Sequence, residues 1–142
     1  VVQGFAIDGD DTLVAYTGKD TTVRVLSDAT DIAANTFSTD YNRASNVKKV
    51  IVPSSVKTIE SYAFAFSNVE DVYFSSGLTQ IQDNIFANSK VKDVHLPDSI
   101  DYMGENIFGN TKGVKVHCSK DTDTYKFLTE HNQKNNFEIL TD

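Results

Sequence analysis

Residues 69–90, VEDVYFSSGLTQIQDNIFANSK, run without a linker into residues 91–112, VKDVHLPDSIDYMGENIFGNTK. The two segments share V-x-D-V and I-F-x-N at identical offsets, with an aliphatic residue between, while most other positions differ. The spacing extends beyond this pair. Val50, Val72, Val94 and Val116 lie 22 residues apart, as do Ile59, Ile81 and Met103, and Phe64, Phe86 and Phe108. Val56, Leu78 and Ile100 form another such column, and Val52, Phe74, Leu96 and Cys118 a fifth. Upstream, Val23, Val25, Ile32 and Phe37 match Val50, Val52, Ile59 and Phe64 after a shift of 27, so the first copy carries five extra residues within Ser38–Asn46. A fixed period in the range of ~20–50 residues marks a repeat array such as a solenoid. One such unit cannot bury its own apolar residues; stacked units pack equivalent residues into a continuous core. The apolar positions persist because each one touches its own copies.

Each copy divides in two. KKVIV, EDVYF, KDVHL and GVKVHC are short, alternating and rich in β-formers, which predicts one strand per coil in a single parallel sheet. Pro53 and Pro97 follow directly and stop the strand. The remainder, SSVKTIESYAFAFSN and its copies, spaces apolar residues at +3 and then +5, which suits a short helical or 3₁₀ turn on the back face. The ends differ. GFAIDGDDTLVAYTG has two alternating runs around Asp8-Gly9, a hairpin signal. DTDTYKFLTEHNQKN predicts a capping helix ending near Asn135, followed by a short strand FEIL. The expected architecture is an α/β repeat solenoid of about five coils. Its expected divisions are an N-terminal cap (1–19), repeats 20–46, 47–68, 69–90 and 91–112, and a truncated repeat with a C-terminal cap (113–142), all in one domain of 142 residues.

The chemistry that the chain can support is narrow. With a net charge of −7, a nucleic acid or an anionic membrane is a poor partner, since both favour a basic face. No apolar run approaches the ~20 residues of a membrane helix. The absence of an initial Met and of a leader segment suggests a mature or trimmed piece of a longer protein. The single Cys118 excludes an intramolecular disulfide framework and a CxxC pair, and its place in an apolar column reads as a buried hydrophobe. There is no GxSxG, GxGxxG, P-loop or HExxH motif, so no catalytic residue and no cofactor are assigned. DGDDTLVAYTGK begins like a calcium loop but has Leu13 and Lys19 where Gly and Glu are needed; a turn with solvated carboxylates is the simpler reading. His95 and His117 could share a metal, but two ligands without a third do not define a site. Ser67, Ser89 and Thr111 recur at one position and read as buried hydroxyls that bond the turn backbone.

The period also fixes surface geometry. If the valine column points inward, its neighbours point outward. One outward column contains Arg24, Ile51, Tyr73, His95 and His117. Isoleucine, tyrosine and two imidazoles side by side resemble a recognition strip, so these five are the candidate binding residues; β-formers required by the sheet itself would look similar. The preceding column, Lys49, Asp71, Asp93 and Lys115, predicts cross-strand pairs Lys49–Asp71 and Asp93–Lys115.

The pattern V-x-x-V-x-[VFL]-P-x-S-[VI]-x-x-I-x-x-x-x-F-x-x-[ST] resembles the BspA-like, Treponema-type leucine-rich repeat. Segments 47–68, 69–90 and 91–112 fit closely, 20–46 loosely, and 113–120 only in the strand. Phe5, Ile7, Leu13, Tyr16 and Gly18 are similar to the opening hairpin of such arrays, and the final F-x-I to their close. Two departures stand out: Ser75 replaces the proline, and the insertion at Ser38–Asn46 interrupts the array. The resemblance implies a right-handed superhelix and a bacterial surface or secreted protein. It also implies a non-enzymatic adhesion role, binding a protein or glycan such as a host matrix or host cell-surface component, as a monomer. A spacer that holds other domains away from the cell wall and binds nothing is the alternative.

Overall fold

The computed structural model describes all residues except 1, 2, 41, 42, 132–135 and 142. The chain winds through two six-stranded sheets. The front sheet contains β3 (Thr22–Arg24), β5 (Lys49–Val52), β7 (Asp71–Phe74), β9 (Asp93–His95), β11 (Val114–His117) and β12 (Phe137–Leu140), all parallel. The back sheet begins with an antiparallel hairpin, β1 (Phe5–Ile7) and β2 (Thr12–Tyr16). It continues in parallel through β4 (Asp31–Ile32), β6 (Thr58–Ile59), β8 (Gln80–Ile81) and β10 (Tyr102–Met103). The front sheet is therefore six strands deep rather than about five, because β12 adds itself beside β11.

The expectation of one sheet with a helical back face is corrected. The back of each coil is a two-residue strand followed by tight turns. Its backbone bonds run between coils: Glu60 N–H to the Ile32 carbonyl, Gln82 to Ile59, Gly104 to Ile81. A helix cannot continue there, since Asn35, Tyr62, Asn84 and Asn106 take left-handed φ of 61°, 64°, 58° and 52°. Spacing of +3 and +5 fits both a 3₁₀ turn and this double turn, so the pattern alone did not separate them. The only α-helix among the described residues is α1 (Asp123–His131), which covers the final coil. Thr122 Oγ1 accepts the Tyr125 N–H at 3.2 Å, and Asp123 sits in the first turn, so the helix start is capped and charged as its dipole favours. Its expected end near Asn135 falls outside the described residues.

The core is the set of periodic columns. Val50, Val72, Val94 and Val116 are fully buried, as is the Ile32–Ile59–Ile81 column. Phe37, Phe64, Phe86 and Phe108 stack ring on ring at 5.1, 5.3 and 5.5 Å. Tyr16 (6.2 Å from Phe37) and Phe137 (5.4 Å from Phe108) extend this spine into both caps. Ser75, where two other coils have proline, donates its hydroxyl to the Val52 carbonyl at 2.5 Å. The turn after it keeps its closing bond, Leu78 N–H to the Ser75 carbonyl as Val56 N–H to the Pro53 carbonyl, but passes through Gly77, whose φ of +112° only glycine adopts readily.

Candidate functional site

The front sheet places the five candidate residues in one register. Arg24 lies opposite Ile51, Ile51 opposite Tyr73, Tyr73 opposite His95, and His95 opposite His117. The ladder continues one step further, to Leu140 on β12. Sequence reasoning missed Leu140 because it lies 23 residues after His117, out of period; the alternation within FEIL was the available signal.

Strands ~4.8 Å apart bring flat side chains close to stacking distance. The Tyr73 and His95 rings stack at 3.9 Å and 6°, and His95 and His117 at 4.2 Å and 8°. Lys49 Nζ sits 4.8 Å from the centre of the Tyr73 ring, a cation–π contact that closes the stack from the other side. Arg24 is exposed, whereas Ile51, Tyr73, His95, His117 and Leu140 are half-buried. The strip is thus a continuous, partly covered surface rather than a row of free side chains.

The expected pairs Lys49–Asp71 and Asp93–Lys115 align in register but form no ion pair among the described residues. The short carboxylates reach diagonally to the next strand instead. Asp93 Oδ1 is 2.9 Å from His117 Nε2 within hydrogen-bond geometry, and Asp71 Oδ1 is 3.5 Å from His95 Nε2. The second contact is a charge approach only, for Asp71 Oδ1 is buried and makes no hydrogen bond. Burial, and then His117, holds the His95 imidazole below its ordinary value of 6.5, with Asp71 and Asp93 pulling the other way. Protonation of His95 is therefore disfavoured in the folded chain. Its contribution is fully present above pH 6.5 and is lost as pH falls through that value toward the lower folded one. Thermal melts should show stability declining over this interval, and His95→Gln should flatten the decline. An unchanged slope in the variant would show that the ladder does not govern it.

The other candidates are structural. Cys118 is buried, and burial followed by Asp98 pushes its thiol up to about 11, so it holds little thiolate at neutral pH. Asp8 Oδ1 accepts the Asp10 and Thr12 N–H groups at 2.9 and 3.0 Å, which builds the hairpin turn. The Thr111 hydroxyl donates to the Phe86 carbonyl at 2.8 Å and accepts the Ser89 N–H at 3.0 Å. Ser67 departs from that expectation, as its buried hydroxyl has no partner among the described residues. A hollow of about 640 Å³ lies beside the free edge of β3, lined by Phe5, Tyr16, Asp20 and Arg24 among others. The Tyr16 hydroxyl donates to Asp20 Oδ2 there at 3.4 Å, so these two titratable groups already engage each other.

Residues 16–115 match the model of the BspA type leucine-rich repeat region, which describes six copies. The chain belongs to this family. BspA-type leucine-rich repeat units are generally non-catalytic interaction modules, and typically occur on bacterial surface proteins. The fold is also that of the crystal structure of the T. pallidum leucine-rich repeat protein, at 20% identity and a TM-score of 0.58, over 80% of this chain and 67% of that one. No curated protein matches the chain. None of the helices among the described residues is long and apolar enough to cross a membrane.

Proposed function

We propose that this repeat array is an extracellular binding module of a bacterial surface or secreted protein, which recognises a protein or glycan ligand through its front sheet. The observation that carries the reading is the unbroken outward ladder from Arg24 to Leu140, with Tyr73 at its centre. Threonine would satisfy a sheet face equally well; isoleucine and tyrosine in adjacent positions, with leucine at the far end of the ladder, supply apolar contact area instead. Tyrosine is an efficient anchor because its large ring carries few rotatable bonds. Here the ring is also held in place by Lys49 and His95, so little freedom remains to lose on binding.

The test uses the domain against a panel of host matrix proteins and glycans. For any ligand found, Tyr73→Ala is expected to weaken binding by ~2 kcal/mol, roughly thirtyfold. Arg24→Ala should have a smaller effect at the edge of the strip, and Lys57→Ala, exposed on another face, none. Affinity should also change as pH falls below 6.5, where His95, held below its ordinary value by burial, takes up its proton. A larger loss from Lys57→Ala than from Tyr73→Ala removes the front sheet from consideration.

The spacer reading rests on a specific observation too. His117 and Asp93 already satisfy each other, and the stacked rings cover one another, as a sheet without a ligand requires. A panel with no binder, combined with unchanged folding in Tyr73→Ala, favours the spacer.

A further inference from the structure

The turns on the back of each coil contain two left-handed positions that recur through the array. The first is occupied by Asn35, Tyr62, Asn84 and Asn106, and the second by Ala44, Phe66, Asn88 and Asn110. Asparagine suits such positions because its short polar side chain tolerates positive φ; bulky residues there are outliers. The coil of residues 47–68 alone puts aromatic residues at both, with φ of 64° at Tyr62 and 55° at Phe66. Its backbone cannot relax away. The Tyr62 carbonyl accepts the Asn35 N–H at 2.9 Å, the Phe66 carbonyl accepts the Thr39 N–H at 3.0 Å, and the Phe66 N–H donates to the Ala87 carbonyl at 3.1 Å. Neighbouring coils thus hold the strained conformation from both sides.

Neither ring is used to fill the core. Tyr62 is 43% exposed and Phe66 48%, and these are two of the four large exposed apolar residues among those described. Residues on either side of the insertion are tied to the Phe66 turn. Thr39 Oγ1 bonds the Phe66 carbonyl at 3.2 Å, and Asn68 Nδ2 bonds the Ser45 carbonyl at 3.1 Å. The two misplaced aromatics thus flank one tight turn, closed by the Ala65 N–H on the Tyr62 carbonyl at 3.2 Å, and form the rim of this coil.

We propose that this rim is a second docking surface, which presents Tyr62 and Phe66 as anchors to a protein partner with an apolar pocket. Phenylalanine has no polar group to offer a sugar, so an exposed Phe66 calls for an apolar cavity, as in the central pockets of protein interfaces. The fixed backbone holds both rings in place, and Asn84 Nδ2 donates to the Tyr62 hydroxyl at 3.4 Å, which lowers the entropy lost on binding. Charge gives the partner a direction. Glu60, Asp83 and Glu105 stand one or two residues before Tyr62, Asn84 and Asn106, while Lys90 and Lys112 follow Asn68 at the same position one and two coils along. Burial, and then Asp31 and Asp8, raise the Glu60 carboxyl above its ordinary value. A matching pocket has a basic edge toward Tyr62 and an acidic edge toward the lysines.

The experiment pairs stability with binding. The intact 142-residue chain serves as bait for a yeast-displayed library of folded protein fragments. Dissociation constants of the recovered clones are then measured against wild type, the double variant Tyr62→Asn/Phe66→Asn, and Tyr73→Ala. The double variant should melt at or above the wild-type temperature, since asparagine relieves strain that offsets the half-buried ring surface lost. Its affinity for rim-binding clones should fall at least tenfold, and Asn84→Tyr should melt lower than wild type. A drop of about 5 °C or more in the double variant, roughly 1–2 kcal/mol, shows that the rings stabilise the coil and overturns the inference. So does a library that yields no clone sensitive to the double substitution. Clones that respond only to Tyr73→Ala leave the front-sheet reading standing and remove the rim.

Discussion

Phe86→Ala is expected to lower the unfolding free energy by ~3–5 kcal/mol, through lost burial plus a cavity that its neighbours fill only in part. Phe86 is 1% exposed, and its ring lies between Phe64 and Phe108 at 5.3 and 5.5 Å, with Phe74 edge-on at 6.3 Å. Both flanking rings belong to other coils, so the deletion weakens two inter-coil interfaces at once. In a solenoid, stability is close to a sum of coil and interface terms. Native domains hold only ~5–15 kcal/mol in all, so the loss is a large fraction of the total. The melting temperature should fall by ~10 °C or more. A shift of only a few degrees would show that the aromatic spine is not what holds the coils together.

Leu128→Ala should cost nearly as much, ~2–5 kcal/mol, but with a different signature. Leu128 is fully buried at the centre of α1, the element that covers the final coil. The helix is further tied to the array by Thr124 Oγ1, which donates to the Pro97 carbonyl at 2.7 Å. Terminal coils lack a neighbour on one side, and the cap takes its place. Loosening the cap exposes the last interface and leaves the first intact. Amide exchange should accelerate in β11 and β12 while β5 and β7 keep their protection. Uniform acceleration across the front sheet would mean that the array unfolds as one unit and that the cap has no local role.

The front sheet was legible because its information is redundant. Val50, Val72, Val94 and Val116 repeat one apolar letter at one spacing, and only parallel stacking of equivalent strands lets all four be buried together. The register of Arg24, Ile51, Tyr73, His95 and His117 followed from it, since strand side chains alternate in and out. The hairpin at Asp8 and the cap helix after Thr122 were legible from local patterns, two alternating runs around Asp8-Gly9 and an acidic start followed by apolar Tyr125, Phe127 and Leu128. The back sheet was not. Two-residue strands such as Thr58–Ile59 carry too little alternation to be read, and they exist because the coil beside them supplies the hydrogen bonds.

Partners that depend on reach across strands were also decided only in three dimensions. Lys49 settles over Tyr73 rather than against Asp71, and Asp93 turns to His117 rather than to Lys115, because diagonal neighbours compete with direct ones and the side-chain lengths decide. Leu140 joins the ladder only once α1 has brought the chain back beside β11. Tyr62 and Phe66 sit in plain view in the sequence, but their significance depends on a backbone φ that no spacing reveals. The sequence by itself determined which residues repeat, and with that the coil, the core and the outward column. Tertiary structure decided how the coils close, which side chains pair and where strain is kept, because each of those depends on atoms supplied by a neighbouring coil.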